Sequence, residues 1–294
     1  MKPRVAIITP VHNGIEFTLK FLKSLGKVRY QNYEIYIIDD GSTDGTSEMI
    51  TSMFQEVKLL SGDGNLWWAG STNLGVEKAL ASGAEYILTV NNDVEVDPNF
   101  IEQLIEAASK NPKSLIGSMI CNIKDHQSVW YMGGYFNREI GDLSHVEGSV
   151  EDFRQIRESE WLTGMACLIP VDVFRTIGSY DAKSFPQYYA DADFSLRAKR
   201  AGYRLLVDPE SKVYSYLSNS WLNNAMKRPS LGLIFRTFLT KRSNYSIFIR
   251  YRFYKKHFGK RWLSDLVRYY RFFVPGFIRK VVVGSFKKSV MGMS

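Results

Sequence analysis

Residues 34–46 read Glu34-Ile35-Tyr36-Ile37-Ile38-Asp39-Asp40-Gly41-Ser42-Thr43-Asp44-Gly45-Thr46. A short apolar run rich in isoleucine predicts a strand over Glu34–Ile38 that delivers Asp39 and Asp40 at its carboxyl end. Gly41-Ser42-Thr43-Asp44-Gly45 then turns the chain into a helix that reaches about Phe54. Upstream, Val5-Ala6-Ile7-Ile8-Thr9 is a continuous apolar run, the form of a strand buried on both faces. Pro10 to Gly14 is a turn, and Phe17, Phe21, Leu22 and Leu25 give a helix face ending near Gly26. Downstream, Val57–Leu60 reads as a third strand, Ser71–Ala81 as a helix and Tyr86–Val90 as a fourth strand that ends on Asn91-Asn92-Asp93. Asp97-Pro98 predicts a helix to about Ser109, the acid as N-cap and the proline at the first helical position. Strand and helix alternating at this spacing imply an α/β domain with a mostly parallel central sheet flanked by helices. Ligands of such sheets bind outside the carboxyl ends of the strands, where Asp39, Asp40 and Asn91 to Asp93 converge. Taken singly, each feature has a structural alternative: a helix cap, an Asx turn, loop punctuation by glycine.

The chain has 294 residues, 45% hydrophobic and 23% charged. That suits one large α/β domain with an extension and excludes a disordered or collagen-like chain. The longest charge-free run is Val213 to Met226, short of the roughly 18–20 apolar residues a membrane-spanning helix needs. Met1 to Ile8 lacks the length and cleavage site of a signal peptide, so a cytoplasmic protein is expected. Cys121 and Cys167 stand apart, without zinc or redox spacing, and are expected to be buried thiols. Charge is unevenly spread. Residues 221–294 carry 17 Lys/Arg against Asp265 alone, and 16 aromatics interleave with the cations, as in Phe248-Ile249-Arg250-Tyr251-Arg252-Phe253-Tyr254-Lys255-Lys256 and in Arg268-Tyr269-Tyr270-Arg271-Phe272-Phe273. Leu263, Leu266, Val267, Tyr270 and Val274 have helical spacing and predict an amphipathic helix ended by Pro275-Gly276. This composition points to an anionic membrane surface. Nucleic acid is not expected, because nothing upstream is a nucleic-acid module. A helical hairpin packed on the main domain with a solvated basic face, or a homodimer made through the aromatic faces, are the alternatives.

In their order along the chain, five motifs resemble family 2 of the inverting nucleotide-sugar glycosyltransferases, which have the GT-A fold. They are Thr9-Pro10-Val11-His12-Asn13; Ile38 to Thr46; Gly64-Asn65-Leu66-Trp67-Trp68-Ala69-Gly70-Ser71-Thr72-Asn73-Leu74-Gly75; Asn91-Asn92-Asp93; and Trp161-Leu162-Thr163-Gly164 with Tyr189-Ala190-Asp191-Ala192-Asp193-Phe194-Ser195-Leu196-Arg197. The resemblance covers about residues 4–220. It implies a catalytic domain over 1–220, with a nucleotide-sugar half to about 95 and an acceptor half from about 96, followed by a basic aromatic helical extension over 221–294. It implies that Thr9, Pro10, Asn13, Asp40, Gly70, Asn73, Asn91 and Asn92 hold the nucleotide sugar. Asp93 would bind Mg2+ or Mn2+, Asp191 would be the catalytic base, and Trp161, Thr163 and Gly164 would face the acceptor. A carboxylate at Asp40 can accept the imide N–H of uracil or thymine, so a UDP- or dTDP-sugar donor is expected. Asp193 and Arg197, at i and i+4, are expected to pair as structural support.

Three departures matter. Ala190 stands where the family commonly has an acid, which leaves Asp191 without a neighbouring carboxylate to raise its pKa. No histidine lies in Lys212 to Leu217, a few residues after Pro209-Glu210, and Asn91-Asn92 replaces acids, so metal dependence is expected to be weak or dispensable. The Trp-Trp-Ala-Gly loop and the Asn-Asn-Asp tripeptide resemble bacterial rhamnosyltransferases acting on cell-surface glycans or lipid-linked acceptors; galactofuranosyl- and hexosyltransferases share much of the pattern. A nucleotidyltransferase is disfavoured because Thr9 to Gly14 has no Lys or Arg. A non-catalytic membrane or nucleic-acid binding module is the remaining alternative.

Overall fold

The computed structural model describes residues 2–216, 231–241 and 243–290. The chain divides into two compact units. The first comprises the chain up to Tyr135, His145–Pro186 and Ala190–Tyr216; the second gathers Phe136–Ser144, Gln187–Tyr189 and the described residues from 231 onward. The expected boundary at 220/221 lies outside the described residues.

In chain order the elements are β1 (Val5–Val11), α1 (Ile15–Leu25), β2 (Tyr33–Asp39), α2 (Thr46–Met53), β3 (Val57–Ser61), α3 (Trp67–Ala81), β4 (Tyr86–Val90), β5 (Val94–Val96), α4 (Phe100–Lys110), β6 (Ser114–Asn122), β7 (Asp125–Tyr131), β8 (Gly134–Asn137), β9 (Asp142–His145), β10 (Gly148–Ser149), β11 (Arg157–Glu158), β12 (Ala166–Pro170), α5 (Val171–Ile177), α6 (Ala190–Arg200) and β13 (Arg204–Ser215). The main sheet runs β10-β7-β6-β12-β4-β1-β2-β3, with β13 pairing β5, β6 and β11. β3, β2, β1 and β4 are parallel neighbours, and β13 lies parallel to β6. β12 runs antiparallel between β4 and β6. This reversal positions the site, because Ala166 opposite Val90 brings the segment that precedes β12 to the carboxyl end of β4.

The sheet's continuous apolar strands are explained by helices on both faces: Val5 to Ile8 are fully buried. α3 lies close on β1 and β2 because position 75 is glycine; a Cβ there would sit 2.6 Å from Ile8 Cγ2 and 2.7 Å from Ile38 Cδ1. Cys121 and Cys167 are buried free thiols.

Two helix starts differ from the sequence reading. α3 begins at Trp67, four residues before Ser71, because the loop that precedes it is anchored by Asp40. α4 begins at Phe100 with Asn99 as N-cap. Asp97 is still held by the strand region, its N–H donating to the Lys212 carbonyl, and its Oδ1 accepts from Asn99 N–H at 2.8 Å in a turn that leads into the helix.

The second unit contains α7 (Leu231–Leu239), α8 (Ile247–His257) and α9 (Trp262–Val290). Its centre is Arg250, 2% exposed, whose guanidinium makes a two-pronged pair with Asp142 at 2.6 and 3.2 Å. The same group stacks 3.5 Å from the Tyr269 ring centre. α9 runs through Pro275-Gly276 instead of ending there. A proline inside a helix removes one backbone bond while the turns on either side keep theirs. The expected apolar face is also redistributed: Leu266, Tyr269 and Phe277 are buried, whereas Leu263 and Val267 are exposed. The inward face is set by Arg250 on Tyr269 and by Gly141, whose missing side chain admits the Asp265 carbonyl.

Gly75→Ala tests the packing of α3 on the sheet. Overpacking against the rigid strand β1 should cost about 1–3 kcal/mol, read as a fall in Tm of about 3–10 °C, with the far-ultraviolet circular dichroism unchanged.

Candidate functional site

The carboxyl ends of β1, β2, β3 and β4, the segment before β12 and the start of α6 supply the residues of the site. Asp40 follows β2, and its own N–H donates to the Val11 carbonyl at 3.0 Å, which ties the end of β2 to the end of β1. Its buried carboxylate organises the loop after β3. Oδ1 accepts from Gly64 N–H at 2.8 Å and Leu66 N–H at 3.2 Å, and Oδ2 accepts from Trp67 N–H at 2.7 Å. Trp67 is thereby held at φ +59, a left-handed conformation that bulky side chains rarely adopt. Asp39 is a turn anchor, accepting from Ser42 N–H at 2.9 Å and from the Ser47 hydroxyl.

Around this clamp, Asn13 Oδ1 accepts from Thr43 N–H at 2.8 Å and its N–H donates to Ser42 Oγ at 2.9 Å. His12 Nδ1 lies 2.8 Å from the Asp40 carbonyl oxygen, which can only accept, so Nδ1 carries the proton. Nε2 is then the acceptor for Asn13 Nδ2 at 3.1 Å. Thr9 is fully buried in β1 and its hydroxyl has no hydrogen-bond partner among the described residues. Pro10 stays half-buried at the end of the strand. Gly70 lies in the first turns of α3, its N–H donating to the Leu66 carbonyl. Asn73 gives both ends of its amide to the Tyr180 backbone, at 2.9 and 3.0 Å, and so acts as a strut between α3 and the 180 segment.

At the end of β4, Asn92 donates to Thr18 Oγ1 at 2.9 Å and Asn91 Oδ1 accepts from Trp68 Nε1 at 3.0 Å. Asp93 has a buried Oδ1 with no hydrogen-bond partner among the described residues. Burial pushes its carboxyl above the ordinary carboxylate range, offset in part by its own backbone N–H. Among the described residues no group of three or more His, Cys, Asp or Glu could hold a metal ion. An unpartnered buried carboxylate oxygen fits a divalent cation that takes most of its oxygen ligands from a bound diphosphate.

Asp191 stands in the first turn of α6. Its Oδ2 accepts from Gly164 N–H at 3.1 Å and its Oδ1 from Ala192 N–H at 2.8 Å. Burial raises its pKa, and the N–H groups of Gly164 and Ala192 with the Thr163 hydroxyl pull it part of the way back. With no carboxylate at Ala190, desolvation is what raises the Asp191 pKa. Asp191 lines, with Thr163, Gly164, Cys167, Tyr180 and Ser195 among others, a cavity of about 10 Å³, room for about one water. Asp193 is fully buried and pairs with Arg197 Nε at 2.9 Å, and Arg197 also donates to the Ile177 and Ser179 carbonyls. Trp161 lies against Gly134, where a Cβ would come within 2.2 Å of the indole, and meets the Tyr131 ring edge-on at 5.6 Å.

The sequence reading quoted Trp67, Trp68 and His12 inside motifs without giving them roles, and left out Tyr180. Glycine-like backbone geometry at Trp67 has no sequence signature, and Tyr180 reaches the site only through the fold.

The profile of glycosyl transferase family 2 matches residues 6–175. The N-acetylglucosaminyl-diphospho-decaprenol L-rhamnosyltransferase of Mycobacterium tuberculosis is 24% identical over 226 residues, 68% of this chain and 72% of that one. Among solved structures, GalNAc-T7 with UDP, GalNAc and Mn2+ superposes with a TM-score of 0.58 at 18% identity, over 72% of this chain and 44% of that one. The mannosyltransferase PcManGT from Pyrobaculum calidifontis in complex with GDP-Man and Mn2+ gives 0.59 at 13% identity, over 100% of this chain and 77% of that one. At these identities the structural likeness is one of fold, the GT-A fold.

Asp93→Asn gives a test with a definite sign. Because the folded carboxyl has the higher pKa, ionising it works against folding, and stability falls as pH rises from the ordinary carboxylate range through the raised value. The amide removes that penalty, so at pH 7 without divalent cations the variant should melt about 2 °C higher, and the gain should vanish at acid pH. Thermal melts across pH, with and without Mn2+, check this; Mn2+ should narrow the difference.

Proposed function

The chain belongs to glycosyl transferase family 2, and on that premise we propose that it moves a sugar, rhamnose by preference, from a dTDP or UDP carrier to a hydroxyl of a bacterial cell-surface glycan or lipid-linked acceptor, with inversion. The observation that carries the proposal is Asp191: a desolvated carboxylate held by two backbone N–H groups at a helix start, on the sheet edge where Asp40 and Asp93 lie. Inversion requires one displacement. The acceptor O–H gives its proton to Asp191 as the oxygen bonds to the anomeric carbon, and the bond to the diphosphate breaks on the opposite face. A positioned base of this kind contributes about 10²–10⁴-fold in rate. Its raised pKa brings it closer to neutrality, which strengthens it as a base while it stays ionised. Asp193 holds Arg197, which ties α6, and Asp191 with it, to the Ile177 and Ser179 carbonyls.

On the donor side, Asp40 already accepts three backbone N–H groups. One lone pair remains on Oδ2, enough for the single imide N–H of a thymine or uracil. Asn13, Asn91 and Asn92 line the same edge, with Gly70 in the first turns of α3. Asp93 would hold Mg2+ or Mn2+, which when bound neutralises charge on the departing diphosphate. With one carboxylate in the donor set, the cation is loose and exchangeable. Thr163, Gly164 and Trp161 face the acceptor side of Asp191.

The preference for rhamnose rests on the mycobacterial relative and on the Trp-Trp-Ala-Gly loop. Among the described residues no helix is long and apolar enough to cross a membrane. A peripheral site at the inner face of the cell membrane is supported by the second unit. On α8 the exposed residues Ile247, Phe248, Tyr251, Arg252, Lys255 and Lys256 form one stripe, and on α9 Leu263, Val267, Arg268, Arg271 and Phe272 form another. Rings and cations without an acid suit an anionic leaflet, where each Lys or Arg contributes about 1 kcal/mol. The same charge would repel a second copy across a two-fold interface.

Three experiments check the proposal. In thermal-shift and transfer assays with dTDP-, UDP- and GDP-sugars, the dTDP or UDP donors alone should stabilise the protein; dTDP-rhamnose should outperform hexosyl and galactofuranosyl donors, and stabilisation by GDP alone would sink the donor reading. Asp191→Asn should bind donor normally and lose about 10²–10⁴-fold in kcat, and wild-type kcat/KM should fall with decreasing pH at a midpoint above the ordinary carboxylate value near ~4. For the membrane surface, Phe248→Glu with Phe272→Glu should cut binding to phosphatidylglycerol vesicles about tenfold or more and leave transfer to a soluble acceptor unchanged.

A further inference from the structure

Trp68 sits where three parts of the site meet. Its indole Nε1–H donates to Asn91 Oδ1 at 3.0 Å, at the end of β4. The far edge of the same ring occupies the space over Gly164: a Cβ at that position would lie 2.3 Å from Trp68 Cζ2 and 2.5 Å from Cη2. Tyr180 meets the ring edge-on at 5.2 Å. Trp67, held in its left-handed conformation by the Asp40 carboxylate, sets the direction in which the next residue enters α3, and Thr72 Oγ1 donates to the Trp68 carbonyl at 2.7 Å. Gly164 in turn donates its N–H to Asp191 Oδ2 at 3.1 Å, and Asn91 N–H donates to the Met165 carbonyl at 3.2 Å. An unbroken set of contacts therefore runs from the Asp40 clamp through one indole to both Asn91 and Asp191.

Resting on the reading of Asn91 as a donor contact and Asp191 as the base, we infer that Trp68 is a positioning residue serving both halves of the reaction. Its N–H holds the oxygen end of the Asn91 amide, which turns the NH2 end outward as the group that meets the donor. Its ring presses on the 163–165 segment and keeps the Gly164 N–H aimed at Asp191. That N–H bonds the ionised carboxylate and so restrains the rise in pKa that burial causes; without it the carboxyl would hold its proton more tightly and be a base over a narrower pH range. The position of glycine at 164 follows, since any side chain there would displace the ring.

The two functions of the indole separate under substitution. Trp68→Phe keeps an aromatic ring and removes the N–H; Trp68→Leu removes the ring edge over Gly164 as well. In the full chain, the Asp191 carboxyl carbon is followed by NMR through a pH titration, its resonance identified by its loss in Asp191→Asn, while donor binding is followed by calorimetry and by KM and kcat. For Trp68→Phe we expect donor affinity to weaken by about tenfold, kcat within about twofold of wild type and an unmoved titration midpoint. For Trp68→Leu we expect in addition an upward shift of the midpoint by about 0.5–1 pH unit, with the acid limb of kcat/KM moving by the same amount. If the Leu variant does not fold, Trp68→Met carries that arm. Lower Tm in both variants with unchanged donor affinity and an unchanged Asp191 midpoint would overturn the inference and leave Trp68 as packing. Should wild type bind no nucleotide sugar at all, the donor reading above fails, while the Asp191 titration still decides whether Trp68 sets the carboxyl.

Discussion

Three backbone N–H groups converging on one buried carboxylate, Asp40, hold the site together. A loop that must leave the end of β3 and enter α3 in five residues has unsatisfied N–H groups at the helix start, and a carboxylate is a strong partner for them. Because the carboxylate is buried, the loop has few ways to satisfy those donors otherwise, and an unsatisfied buried donor costs about 1–3 kcal/mol. The clamp also meets the cost of the left-handed Trp67, of order 1–3 kcal/mol. From it follow the direction of α3, the position of Trp68, and the close contact of Gly75 with the sheet. His12 and Asn13 close the other side of the same turn.

The two remaining acids of the site, Asp93 and Asp191, share a physical condition and differ in their partners. Burial raises the pKa of both. Asp191 has two backbone N–H groups that favour its anion, whereas Asp93 has a buried oxygen without a partner among the described residues. On the proposed reading, the carboxylate with partners moves a proton and the one whose oxygen lacks a partner among the described residues takes a cation. This division needs no acidic neighbour and no histidine, which accounts for a family 2 chain that departs from the usual pattern at Ala190 and after Pro209-Glu210.

The second unit solves a different problem. Its inner face is made of rings stacked on a buried Arg250–Asp142 pair, whose rupture would leave a charge stranded at a cost of about 3–5 kcal/mol. With cations and rings committed inward at Arg250 and Tyr269, the residues left outside on α8 and α9 are largely rings and cations again.

Reading along the chain was sufficient for the strands β1 to β4, since apolar runs bounded by turns have few other solutions, and for the family, since five motifs occur in order. The same reading singled out Asp40 and Asp93 at strand ends, where acids carry a local signal, and Asp191 through the family motif; the structure places them after β2, after β4 and in the first turn of α6. Helix starts at Trp67 and Phe100 were misplaced by a few residues because they are set by Asp40 and by the strand contact of Asp97, both non-local. The run of α9 through Pro275 and its inward face were likewise decided by partners far along the chain, Gly141 and Arg250. Sequence fixes which groups are present and how each segment alternates, for those depend on neighbours one to four residues away. Only tertiary structure decided how each carboxylate is solvated, which N–H it meets and what lies over Gly164, because desolvation and hydrogen-bond partnership come from atoms that the chain brings together across tens of residues.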